Sequence, residues 1–393
     1  MQNQSSYVDV TIDHTKIDGD LTDFTITLCW YGLGAVGYDV GSVPEEMITL
    51  GNPYACNSDG SDVRATDATG TTEYPIEIVT CEQNADSSYS KFQAHIKVPS
   101  ISSAVDTVFR VYYGDPTATM YGVTDTYGRN NVWTSYDKAV FHLNEAAGVG
   151  ARAVDSTGSG YNGVPLSAGT FPNQSSGHHL YGYYCYFNSA NSDHYIIDDT
   201  VSVDRFDIVG DVSIMALAHP GTSWNNSNQC LLARGQEWSR IRRNGTADAI
   251  GVSRVSGANT YVTNNATALA DGLFHHVCYN FKRSTGVANV WVDAVAGTSD
   301  THASDTSTSG KHLWIGQNED ALARVWEGYL KEIRISTISR SDAWIKAEYW
   351  DTTQPEFLMS VGTPVRIGLV NKSDHIIGLG HSIGFNIGFD REL

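Results

Sequence analysis

The sequence predicts an all-β protein of two β-sandwich domains, the second a jelly roll, followed by an extended C-terminal arm. Three observations carry this expectation. Gly, Ser, Thr, Asn, Asp and Tyr are plentiful while only 18% of the 393 residues are charged, a mix that favours strands joined by turns over helices. Short runs alternating apolar and polar residues recur along most of the chain, as half-buried strands do. Segments rich in turn formers, such as GNPYACNSDGSD and TDATGTTE, separate them.

Residues 1–120 hold YVDVTID, FTITLCWYG, DVRATD, YPIEIVTCE, SKFQAHIKVP and TVFRVYYGD, a set of strands sufficient for one compact sandwich. Residues 121–137 read as a linker. From 138 to 360 a second series follows, including AVFHLNEAAG, FDIVGDVSIMALAHP, CLLARG, DGLFHHVCYNF, GVANVWVDAVAG and WEGYLKEIRIS, spaced as in a jelly roll. In residues 361–393, Ile-Gly followed by Leu or Phe recurs four times. Glycine lets a second backbone come close and alternating apolar residues ask for a partner face, so Ile377, Ile383, Phe385, Ile387 and Phe389 are expected to form an assembly arm.

That tail also contains GHSIG at residues 380–384, a match to the nucleophile elbow G-x-S-x-G. An elbow needs a strand before it, a helix after it, and an acid and a histidine later in the chain. No histidine follows Ser382, so the motif does not mark a hydrolase.

The net charge of −19 is spread along the chain and argues against a nucleic-acid partner, whose phosphates it would repel. The one basic run, RIRRNG at 240–245, reads as a solvated hairpin edge. Distributed acidity suits solubility and divalent cations. The N-terminus MQNQSSYVDVTIDHTKI has neither a basic n-region nor an apolar h-region, and no run approaches membrane-spanning length, so neither a secretory signal nor membrane insertion is expected. The six cysteines include no C-x-x-C pair. Several, such as Cys29 and Cys278, sit in apolar strand-like runs and read as buried free thiols.

Two resemblances sharpen this reading. LTDFTITLCW, DVRATDATGTTEYPIEIV and FQAHIKVPSISSAVDTVFRVYYGDP, within residues 8–118, resemble the domain of unknown function 2341 family, which implies a fold and a domain context but no activity. DGLFHHVCYNF, VWVDAVAG, WEGYLKEIRIS and the closing RSDAWIKAEYW, within residues 138–350, resemble the laminin-G-like, concanavalin A-like lectin and glucanase superfamily. His275 and His276 then read as fold markers, since neighbours in a strand point to opposite faces and cannot share a metal ion. Glucanases of that superfamily carry paired carboxylates on one strand, about 5 Å apart for retaining hydrolysis. Here the acids Glu145, Glu237, Glu319, Asp320, Glu327 and Glu332 stand apart, and Glu332 reads as a structural partner of Arg334 or of nearby backbone.

The expected function is therefore that of a non-enzymatic virion surface protein, a bacteriophage tail or capsid appendage with carbohydrate-binding capacity for host adhesion. A secreted cell-surface adhesin and a polysaccharide-acting glycoside hydrolase are the alternatives. Aromatic platforms for surface glycan are expected among Tyr181, Tyr184, Trp224, Trp238, Tyr261 and Trp326, which fall near predicted loops. Calcium ligands are expected among Asp155, Asn162, Asp193, Asp198 and Asp199, which lie in turn-rich stretches. The arm is expected to join other virion proteins or further copies of this chain in a homo-oligomer.

Overall fold

The computed structural model describes residues 3–31, 40–146, 152–165, 172–176, 182–199, 205–221, 229–234, 238–243, 250–256, 258–263, 269, 271–301, 311–319, 322 and 324–367, with backbone alone for the strands between 238 and 263. Alternation in sequence becomes alternation in space. The strands before the connector are β1 (Ser6–Ile12), β2 (Leu21–Tyr31), β3 (Val40–Gly41), β4 (Arg64–Asp67), β5 (Glu73–Tyr74), β6 (Ile76–Glu82), β7 (Lys91–Ile101) and β8 (Thr107–Tyr113), with the short helix α1 (Glu45–Ile48) between β3 and β4. In β2, Phe24, Ile26, Leu28 and Trp30 enter the first core, and in β7 Phe92, Ala94, Ile96 and Val98 meet them. The intervening Thr27, Cys29, Gln93 and His95 point the other way and are buried too.

What buries them is the second sandwich. Its strands are β9 (Asp137–Phe141), β10 (Gly163–Val164), β11 (Asn173–Ser175), β12 (Tyr184–Phe187), β13 (Tyr195–Ile197), β14 (Val212–Pro220), β15 (Cys230–Arg234), β16 (Trp238–Arg243), β17 (Ile250–Ser256), β18 (Ala258–Thr263), β19 (His275–Lys282), β20 (Val287–Val292), β21 (Val295–Ala296), β22 (Asp300–Thr301), β23 (Leu313–Ile315) and β24 (Gly328–Ser336). One sheet runs β11-β12-β24-β14-β19-β20-β21 with β9 on β24, the other β10-β13-β23-β15-β16-β17-β18. Their shared core includes Phe141, Phe187, Ile214, Tyr279, Trp326 and Ile333. The β24-β14 face turned from that core lies on the β3-β2-β7-β6 sheet, where Cys29 packs on Leu217 and Gln93 bonds Glu332.

The chain then returns to its beginning. Ser341 caps α2 (Asp342–Thr353) by accepting from Trp344 N at 3.2 Å, and Pro355 opens α3 (Pro355–Leu358). The helix α2 is a wedge with no single apolar stripe: Ile345 packs on Cys278 and Trp291 of the second sandwich, while Ala347 enters the first core. Beyond it, β25 (Met359–Val361) and β26 (Val365–Arg366) both pair antiparallel with β1, through Val10 with Val361 and Tyr7 with Val365. These strands form the edge of the sheet β25-β1-β8-β4-β5.

Two expected boundaries shift accordingly. The helix α2 is shared between the two sandwiches, whereas Leu358, Met359 and the strands β25 and β26 belong with the first, so the second sandwich is inserted into the first. The stretch 121–137 is no free linker either. Tyr121 donates to Glu73 at 2.6 Å beneath the Arg64 guanidinium, Ile76 N donates to Tyr127 O at 3.0 Å, and Val132 and Trp133 are buried. Turn-forming composition does not report that the turns are fastened down. Ile377, Ile383, Phe385, Ile387, Phe389 and the GHSIG motif lie outside the described residues.

A chain ending at residue 340 is expected to lose the first sandwich, because Ala347, Leu358 and Met359 leave its core and Asp351 no longer meets Thr27. A chain ending at residue 367 keeps it. Hydrogen exchange of β1 and β2 amides checks both, and native protection in the shorter chain would refute the insertion topology.

Candidate ligand groove and the charged seam

The layer between the sandwiches is polar because of one backbone irregularity. Pairing of β14 with β24 shifts register, Met215 lying opposite Arg334 and Leu217 opposite Lys331. The extra residue is accommodated with Glu332 at φ 51°, a left-handed conformation that costs on the order of 1–3 kcal/mol for a residue other than glycine. As a result Leu330, Ile333 and Ile335 stay in the core while Lys331, Glu332 and Arg334 are free to face the first sandwich.

Glu332 is the centre of the contacts that follow. Its Oε1 accepts from Gln93 Nε2 at 2.6 Å and lies 2.9 Å from His142 Nδ1. Its Oε2 is 3.1 Å from Arg334 Nη2 and 3.5 Å from His95 Nε2. Lys331 Nζ donates to Gln93 Oε1 at 2.7 Å, Glu77 accepts from Trp133 Nε1 at 2.9 Å and from Ser156 Oγ at 2.7 Å, and Arg334 reaches Glu348 of α2 at 3.2 Å. Burial would raise the Glu332 carboxyl, but His142 and then His95 hold it well below the usual range. Burial would lower His142, yet Glu332 and Glu77 push it up to about 10. Burial wins at His95, which falls to about 4.

His95, His142 and Glu332 bring donor atoms within 4.8 Å of one another, but they do not make a metal centre. The two imidazoles are stacked, with centroids 4.7 Å apart and planes 11° apart. A ligating nitrogen holds a metal in its ring plane at about 2.0–2.1 Å, and one ion cannot lie in two stacked planes. The cluster is an ion-pair network that fixes one sandwich on the other.

The seam opens where the connector meets α2. A groove of about 580 Å³ lies there, with Asp23 and Lys97 on one wall, Tyr136 from the connector, and Arg340 and Trp344 on the other wall. Trp344 is not available for stacking: the Arg340 guanidinium covers it at 3.9 Å and Phe24 meets it edge-on at 4.8 Å. Arg340 itself is held by Asp137 at 2.8 Å. Tyr136 is the ring presented to solvent, 52% exposed. No acid among the described residues pairs with Lys97. A smaller cavity of about 20 Å³, bordered by Trp133, Arg334, Arg340 and Glu348, separates groove from seam and has room for one water.

Two of the expected platforms are described with their side chains, and both are buried. Tyr184 and Trp326 are fully buried, Tyr184 edge-on between Phe274 and Tyr329 and Trp326 in the second core; nearness to turns in sequence did not keep them from the interior. Tyr181 and Trp224 lie outside the described residues, as do the side chains of Trp238 and Tyr261 on β16 and β18. The expected calcium ligands fall at three separate turns. Asp155 accepts from Val140, Thr157 and Tyr161 amides, and Asn162 Oδ1 accepts from Asp155 N. Asp193 is buried, which raises its carboxyl to about 6, and accepts from Asn188 N at 2.9 Å. Asp198 is exposed toward His312 at 3.4 Å, and Asp199 pairs with Arg234 at 2.8 Å. Each of these carboxylates already has partners, in its own turn for Asp193 and on other segments for Asp155, Asp198 and Asp199.

Among the described residues, the remaining acids Glu145, Glu319 and Glu327 sit in separate local contacts. Glu145 accepts from Val154 N at 2.7 Å, Glu327 accepts from Tyr186 Oη and Ser189 N, and Glu319 accepts from His312 N at 3.0 Å; Glu237 and Asp320 lie outside the described residues. The expected Glu332–Arg334 contact is made. His276 faces Glu348 of α2 at 3.8 Å, whereas His275 is held between Asp293 at 2.6 Å and Asp271 at 3.1 Å. The groove residues escaped sequence reading because four distant segments build it and none carries a periodic signal.

Acid should loosen the seam. Glu332, Glu77 and Glu348 have depressed folded-state pKa values, so their stabilisation is present above about 4.5 and is lost as pH falls. His95, lowered to about 4, adds to this between 6.5 and 4, because only the unfolded chain takes up that proton. His142 works oppositely, its contribution fading as pH rises toward 10. The urea midpoint is expected to fall from pH 7 to pH 4, and Glu332→Gln to cost about 3–5 kcal/mol at pH 7 and flatten that slope; equal midpoints for both proteins would refute the role given to Glu332.

Residues 189–346 match the laminin-G-type model described as the concanavalin A-like lectin/glucanases superfamily. No curated protein matches the chain. Among solved structures, it is similar to the binding domain of Paraclostridial Mosquitocidal Protein 1, at 10% identity and TM-score 0.41 over 53% of this chain and 51% of that one. It is also similar to domain 4 of AbnA, a GH43 extracellular arabinanase from Geobacillus stearothermophilus, in complex with arabinotriose, at 16% identity and TM-score 0.40 over 53% and 96%. A third is the Ruminococcus gnavus IT-sialidase CBM40 bound to α2,3-sialyllactose, at 10% identity and TM-score 0.32 over 37% and 86%. The chain spans about half the length of the first of these. Residues 189–346 carry a concanavalin A-like lectin/glucanase domain, built as a β-sandwich.

Proposed function

We propose that this protein is a non-enzymatic surface module that binds carbohydrate in the groove at the seam. The observation that carries the reading is the groove itself: an exposed Tyr136 ring beside Lys97 and Asp23, in a cleft of about 580 Å³ next to a lectin-like sandwich. A sugar offers an apolar face to an aromatic ring and hydroxyls to fixed polar groups, and this combination meets both. The separate local contacts of Glu145, Glu319 and Glu327, and the ion pairing of Glu332 to His142 and Arg334, support binding without hydrolysis.

The setting we favour is a virion surface, as a bacteriophage tail or capsid appendage, with a bacterial cell-surface adhesin as the alternative. The lectin-like domain and the four Ile-Gly-apolar repeats of residues 361–393 support it, the latter as a contact to other virion proteins or to further copies in a homo-oligomer. The first sandwich is proposed to be a relative of the domain of unknown function 2341 family, on the motifs within residues 8–118. Calcium is proposed to bind at the turns of the second sandwich.

On a glycan array the full chain is expected to bind a restricted set of sugars, and Tyr136→Ala to weaken that binding about 10-fold or more without lowering the Tm. A blank array, or undiminished binding by the variant, would overturn the assignment of the groove. Calcium in place of a chelator is expected to raise the Tm; identical melting curves would remove the ion from the proposal.

A further inference from the structure

Between α1 and β4 the chain runs through residues 49–63 without a regular ladder, held to its neighbours by individual contacts. Cys56 N donates to Met47 O at 2.9 Å, and Gln83 Nε2 reaches both Cys56 O at 2.8 Å and Cys56 Sγ at 3.2 Å. These contacts bring Cys56, 5% exposed, against Cys81 on β6, the edge strand of its sheet. The two sulfurs are 3.8 Å apart, and the Cys81 thiol donates to Asn57 O at 3.7 Å. A disulfide requires about 2.0 Å between sulfurs, so closure needs a movement of about 1.8 Å, within the reach of side-chain rotation for the half-buried Cys81. The remaining cysteines, Cys29, Cys185, Cys230 and Cys278, are buried.

We propose that Cys56 and Cys81 are a latent disulfide pair, closed by thiol–disulfide exchange with a low-molecular-weight disulfide such as glutathione disulfide. The Cys81 thiolate, the more accessible, attacks one sulfur of glutathione disulfide, and the departing glutathione thiolate takes up a proton. The Cys56 thiolate then attacks the Cys81 sulfur of the mixed disulfide and expels the second glutathione. Two protein thiols are oxidised, one glutathione disulfide is reduced to two glutathione thiols, and the protons released by the cysteines end on those thiols. Contact with Cys81 and burial both raise the Cys56 thiol, which makes the second step slow at neutral pH and faster in mild alkali. The bond fastens the 49–63 segment to β6 across 25 positions of sequence.

The test uses the full chain at pH 8 with glutathione disulfide, against a dithiothreitol control. The oxidised protein is expected to lose about 2 Da and to titrate four thiols in denaturant where the six-cysteine chain gives six. A linked Cys56–Cys81 peptide should appear, and the Tm should rise by about 5 °C. Cys56→Ser should stop at a glutathione adduct on Cys81, and Cys81→Ser should stay reduced; either variant suffices if the other fails to fold. Six thiols after oxidation, a persistent adduct in the unsubstituted protein, or a bridge between other cysteines would overturn the proposal.

Discussion

The structure depends on the burial of charge between two sandwiches that each already have an apolar core. A plain apolar contact would hold the two bodies together without choosing an orientation, whereas Glu332 must simultaneously meet His142, Gln93, His95 and Arg334. Removing ions from water is unfavourable, and only a complete set of partners offsets it. The seam therefore acts as a registry device. Its geometry comes from the bulge at Glu332, where a strained backbone frees consecutive charged side chains from the core face of one strand.

The groove is a by-product of the same registry. Two sandwiches fixed by their middles leave a cleft at the rim, and here the connector and the N-terminus of α2 line it. Trp133 belongs to both regions, donating to Glu77 in the seam and bordering the groove. Groove shape and seam charge are coupled through that ring and through Arg340, which holds Asp137 while covering Trp344.

The all-β class, the succession of strands and the lectin-like second sandwich were legible in the sequence, because period-2 alternation and turn composition are local properties. So was the Glu332–Arg334 contact, two residues apart on one strand. The assignment of residues 342–367 was not, since α2 is packed on two sides and shows no single apolar stripe, and the strands that follow it match β1 only through backbone pairing. Site residues were harder for a related reason. Tyr184 and Trp326 look like surface aromatics beside turns, whereas Tyr136, Lys97 and Asp23 lie on three separate stretches whose meeting depends on tertiary structure.

The return of the chain to β1 has a mechanical meaning. Ser6 pairs with Arg366 at the same end of the ladder where the first strand begins and the last one finishes. Tension between the two ends would open this ladder like a zipper, one bond at a time, before any force reached the inserted sandwich.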